Sequence, residues 1–139
     1  MKNFKCFILI CCLIFIFPLK SIAATGNNEN ISPNLIYLES CHTILSINDS
    51  GTAKIFCDAT GEGSSITKMS IYSVLQQYNN GKWVDSTADT TEKSGTSVTF
   101  SKSYKVYSGY KYRVKATYKV YKSSTVLESV TRYSDVVEY

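Results

Sequence analysis

The sequence predicts an all-β fold, a two-sheet sandwich of about seven short strands, and three observations carry that expectation. First, residues 110–121 alternate along all but the last position. Tyr110, Tyr112, Val114, Ala116, Tyr118 and Val120 interleave with Lys111, Arg113, Lys115, Thr117 and Lys119. A period of two sends the sets to opposite faces of a sheet, whereas a helix would mix them on every face. Second, turn-forming clusters recur between the apolar runs, at Asn48-Asp49-Ser50-Gly51, Asn79-Asn80-Gly81, Gly95 and Ser123-Ser124. Third, no segment beyond the N-terminal leader reads as a convincing helix.

The elements follow in chain order. Residues 1–23 have the three parts of a secretory signal peptide: Lys2 and Lys5, an apolar run from Cys6 to Leu19, and small residues Ser21 and Ala23 before a cut at Ala24. The run is about 14 residues, short of the roughly 20 that a spanning helix needs. An uncleaved anchor is the alternative. Cleavage predicts a secreted, extracellular protein whose mature chain holds no membrane span. Lys2, Lys5 and Lys20 leave with the leader. Lys plus Arg then falls from 15 to 12 against 11 Asp plus Glu, and the net charge from +4 to about +1. Such a balance argues against a nucleic-acid partner.

Residues 24–36 are polar and Asn-rich and predict a flexible N-terminal arm, with the sandwich over 37–139. Leu38–Ile47 and Thr52–Ala59 read as the first hairpin, and Ile66–Tyr78 and Lys82–Ala88 as the second. Asn80-Gly81 suits a two-residue type I′ turn, in which both residues take positive φ. Thr96–Val106, Tyr110–Tyr121 and Val126–Tyr139 complete seven strands.

Within this frame Gly109-Tyr110-Lys111-Tyr112-Arg113-Val114-Lys115-Ala116 resembles the late strand of fibronectin type III domains. The resemblance implies an immunoglobulin/fibronectin type III-like sandwich with Tyr110 as its tyrosine corner. Residues 44–133 also resemble an uncharacterised family of small secreted proteins of clostridia and related Gram-positive bacteria. The shared stretches are Gly51-Thr52-Ala53, Leu75-Gln76, Gly81-Lys82-Trp83 and Gly109–Val114. That likeness implies no activity. Cysteine placement departs from ordinary immunoglobulin domains, because Cys41 and Cys57 are close in sequence.

Cleavage of the leader would leave those two cysteines, an even number in an oxidising place. A first hairpin folded about Asp49 pairs residues whose numbers sum to 98, which sets Cys41 opposite Cys57 and predicts a structural disulfide. Two buried thiols are the alternative. No Cys-x-x-Cys supports a redox role.

The residues for catalysis are sparse, and the sequence argues against an enzyme. His42 is the sole histidine, no Gly-x-Ser-x-Gly elbow occurs, and no metal or other cofactor is expected. Asp85, Asp89 and Glu92 form the densest carboxylate group, read as solvated loop residues rather than a glycosidase pair. Between Glu92 and Glu128 there is no acidic residue but there are eight basic ones. Lys111, Arg113, Lys115 and Lys119 share one face of a strand. In the second hairpin Trp83 falls opposite Tyr78, on the parity opposite to Met69, Ile71 and Leu75. If that apolar set faces the core, Tyr72, Tyr78 and Trp83 join the basic stripe on one outer face. Flat rings stack on sugars and cations recognise acids, so the expected function is a non-enzymatic secreted binding module for cell-wall polymer or acidic glycan. The alternatives are that Trp83 is a covered core residue and the stripe a plain solvated face. A protein partner paired through a sheet edge is the competing function.

Overall fold

The computed structural model describes residues 35–139. The leader and residues 24–34 of the expected arm lie outside them. The described residues contain no helix, and hence none long and apolar enough to cross a membrane. They form β1 (Leu38–Ile47), β2 (Thr52–Gly61), β3 (Lys68–Asn79), β4 (Lys82–Ser94), β5 (Ser97–Lys105), β6 (Lys111–Lys122), β7 (Thr125–Tyr133) and the short β8 (Val137–Glu138). One sheet has the order β1-β2-β5 and the other β4-β3-β6-β7, with β8 continuing the β7 edge against β6. All pairings are antiparallel. Two antiparallel sheets with seven main strands make the β-sandwich that the sequence predicts.

The core lies between the sheets and follows the alternation. Tyr112, Val114, Ala116, Tyr118 and Val120 of β6 are all buried, as are Met69, Ile71 and Leu75 of β3. From the opposite sheet come Ile55, Cys57, Ala59, Val98 and Phe100. Tyr118 keeps its phenol usable in this apolar layer by crossing to β1, where its hydroxyl donates to the His42 carbonyl at 2.6 Å and meets Thr43 Oγ1 at 2.7 Å. Burial drives its pKa far up, so it stays a neutral donor.

The tyrosine corner falls on Tyr112, not Tyr110. The Tyr112 hydroxyl donates to the Tyr107 carbonyl at 2.8 Å and accepts from the Tyr107 N–H at 3.1 Å. Tyr110 lies just before the strand, partly exposed, with its ring edge-on to that of Tyr112. The Gly-containing corner takes up one turn before the strand begins at Lys111, so the buried parity starts at 112.

The first hairpin corrects the disulfide. Its partners sum to 100: Thr43 faces Cys57 and Cys41 faces Ala59. The turn is closed by Asn48 and Thr52, with Gly51 at φ +70°. A side chain at Gly51 would also meet the Val106 carbonyl oxygen at 2.9 Å, so the glycine fixes this loop length. The two cysteines share the inner face but stand diagonally, a spacing of roughly 7–8 Å between Cα atoms in an antiparallel pair, and both are free thiols. Burial raises both thiol pKa values; for Cys41 the neighbouring Arg132 works against that rise.

The end of the expected arm is tied down. Glu128 of β7 accepts the backbone N–H groups of Ile36 at 3.0 Å, Tyr37 at 3.1 Å and Leu38 at 2.7 Å, a carboxylate gripping three successive amides. Hydrogen bonds to a charged acceptor are each worth about 1.5–3 kcal/mol, discounted here because the site is half open to water. Glu128→Gln is therefore expected to cost about 1–2 kcal/mol in chemical denaturation and to speed amide exchange at Tyr37 and Leu38. Unchanged exchange at those amides would contradict the grip.

Candidate binding face

The outer face of the β4-β3-β6-β7 sheet is set by parity. The even positions of β6 fill the core, so Lys111, Arg113, Lys115, Thr117, Lys119 and Tyr121 point outward. Their partners on β3 are Tyr78, Gln76, Val74, Tyr72, Ser70 and Lys68. On β4 the same rows continue to Trp83 and Asp85, then across a bulge to Ala88, Thr90 and Glu92. On the other side Lys115, Thr117 and Lys119 face Tyr133, Thr131 and Ser129 of β7. All seven residues expected from sequence, Tyr72, Tyr78, Trp83, Lys111, Arg113, Lys115 and Lys119, thus occupy one face. The type I′ turn is as expected, with Asn80 at φ +50° and Gly81 at φ +81°.

Their contacts divide the face into two halves. Near the second hairpin Arg113 is enclosed. Its guanidinium carbon stands 4.2 Å from the centre of the Trp83 ring and 4.4 Å from that of Tyr133, so the cation lies between two aromatic faces. Its Nε donates to Gln76 Oε1 at 2.9 Å, and Gln76 Nε2 donates to Asp85 Oδ1 at 2.7 Å. Tyr78 leans on Trp83 at 5.2 Å. Trp83 is therefore neither a core residue nor an open plate. It lies half-buried on the outer face with Arg113 over one of its faces.

The other half is open. Tyr72 is 47% exposed. Thr117 and Thr131 join hydroxyls at 3.0 Å. The carboxylates of the face are engaged at its margins: Asp85 by Gln76, Glu92 by Lys68 at 2.8 Å and Glu138 by Lys111 at 3.9 Å. Lys115 and Lys119 make no ion pair among the described residues.

Tyr133 and Gln76, which complete the arginine sandwich, were not expected from sequence. A Tyr ending a polar strand and a Gln within an apolar one carry no periodic signal, and only the register brings them to Arg113.

The three grouped carboxylates do not converge. Asp85 and Glu92 lie on the outer face, whereas Asp89 points inward toward β5, where Lys102 Nζ at 2.6 Å and the Tyr104 hydroxyl hold its carboxyl below the usual carboxylate range. His42 sits outside the other sheet, its Nδ1 3.2 Å from Asp58 Oδ2. Among the described residues no three His, Cys, Asp or Glu side chains are placed to hold a metal ion. Comparison with protein-family models and with curated proteins returns no match.

Proposed function

We propose that the chain is a secreted, non-enzymatic binding module that takes an anionic polymer of the cell envelope, a wall polymer or acidic glycan, on the outer face of its larger sheet. One observation supports this best. Lys115 and Lys119 stand, partly exposed, on a hydroxyl-bearing sheet face whose carboxylates Asp85, Glu92 and Glu138 are engaged at the edges. Positive charge without a local counter-ion, spread along a strand, attracts a polyanion and fixes its direction. The dispersal of Asp85, Asp89 and Glu92 to different faces supports binding without hydrolysis. The likeness to small secreted Gram-positive proteins fits an envelope location.

The test is binding of the purified chain to isolated anionic wall polymer and to a soluble acidic glycan across a salt series. Exchanging Lys111, Lys115 and Lys119 for Gln leaves the arginine sandwich intact and is expected to weaken binding at least about tenfold, on the order of 0.5 kcal/mol per cation. Wild-type affinity is expected to fall steeply above about 0.1 M salt, where the screening length is about 10 Å. A triple variant that binds as well as wild type would refute the reading.

A further inference from the structure

We propose that the ligand of this face is a glycan bearing acid groups on alternate sugars, read by Lys115 and Lys119 with a neutral ring seated on Tyr72 between them; this rests on the polyanion reading above. Lys115 and Lys119 are four residues apart on one strand face, about 14 Å at the usual rise per residue. The position midway is Thr117, whose partner across the ladder is Tyr72. The order along the face is therefore cation, exposed aromatic ring beside a hydroxyl pair, cation.

The chemistry of the middle position selects the ligand. The face of an aromatic ring is the negative end of its quadrupole. A polymer charged at every unit, such as a polyphosphate, would lay several anions over Tyr72 and its surroundings with no cation beneath them. The next cation along the strand, Arg113, is held between Trp83 and Tyr133 and is not free to swing out. A sugar suits the same position, because its C–H face is weakly positive and its hydroxyls reach the Thr117–Thr131 pair. The acid groups of the flanking sugars then meet Lys115 and Lys119. The stacking plate is thus Tyr72, and the Trp83 ring serves the arginine.

Three probes test this on the full chain: an oligosaccharide alternating uronate and neutral sugar, a neutral glucan of the same length, and inorganic polyphosphate. The alternating oligosaccharide is expected to bind best and the glucan not to bind. Tyr72→Ala is expected to weaken oligosaccharide binding about five- to tenfold with an unchanged melting temperature, since the ring is half exposed, while Tyr72→Phe keeps it. Lys115→Gln and Lys119→Gln are each expected to weaken it several-fold. If Tyr72→Ala binds the oligosaccharide like wild type, or polyphosphate binds as tightly and with the same lysine dependence, the glycan inference is overturned while the polyanion reading stands. If no anionic probe binds, both fall.

Discussion

Tyr112→Ala is expected to destabilise the domain by about 3–5 kcal/mol, and Tyr112→Phe by about 1–2 kcal/mol. The larger figure is the loss of a buried aromatic: the side chain is 1% exposed within the layer that Val114, Ala116 and Tyr118 continue. The smaller figure isolates the hydroxyl. It serves both polar groups of Tyr107, and removing it leaves that N–H and C=O to whatever water reaches them. Because the Tyr107 side chain is largely exposed, solvent recovers part of the loss, which holds the estimate at the low end of about 1–3 kcal/mol for an unmet buried group. Tyr110→Phe is the control. Its ring is 37% exposed and meets Tyr112 only edge-on, so a change within about 0.5 kcal/mol is expected. Equilibrium denaturation of the three variants decides between the two tyrosines. If Tyr110→Phe were the costlier of the two Phe changes, the corner would belong to Tyr110, as the likeness to fibronectin type III domains implies.

That tyrosine marks where sequence reasoning reached and where it stopped. The alternation over 110–121 identified the strand, its buried face and its wet face, because one side of β6 packs against a continuous apolar layer and the other carries charge. It did not show where the corner ends. A family likeness placed the special tyrosine two residues early, on the buried parity but before that parity meets the core. The first hairpin failed similarly. Leu38–Ile47 agrees with β1 in the structure, yet the register is off by two. Such a slip keeps every side chain on its face, so the hydrophobic pattern cannot detect it. Only the loop length, set by Gly51, distinguishes the registers. The slip is enough to turn an opposed pair of cysteines into a diagonal pair of thiols.

Edge strands were the least legible. β4 runs on to Ser94, six residues beyond the expected end, through a polar stretch with a bulge near Asp85. It stays extended because β3, buried on its inner side, supplies the ladder, and this reason lies in the partner and not in β4 itself. β7 breaks alternation twice. Glu128 turns inward to hold the backbone of residues 36–38, and Arg132 turns inward beside Cys41. Inward charges protect an edge from pairing with other chains, but they erase the period of two that would have placed Tyr133 on the outer face. The aromatic and basic residues of the candidate face were therefore found from β3, β4 and β6, and their division into an enclosed half and an open half was not.

Arg113→Ala tests that division, with an expected loss of about 2–3 kcal/mol. Two aromatic faces contact the guanidinium, each contact contributing roughly 0.5–1 kcal/mol at a half-open site. The Nε bond to Gln76 adds a further charge-assisted hydrogen bond, and without it a glutamine that is 7% exposed keeps an unmet carbonyl oxygen. Arg113→Lys keeps the charge but has neither the planar cation that stacks nor the Nε that donates, so it is expected to recover less than half of the loss. The chain has one tryptophan, which makes the sandwich directly observable. Trp83 emission is expected to shift to longer wavelength in both Arg113 variants as water replaces the guanidinium, and to stay put when Lys115 or Lys119 becomes Gln. If instead Arg113→Ala melts like wild type with unshifted emission while polyanion binding collapses, Arg113 belongs to the open half as a ligand-reading cation. The spacing of acid groups assigned to the glycan would then have to include it.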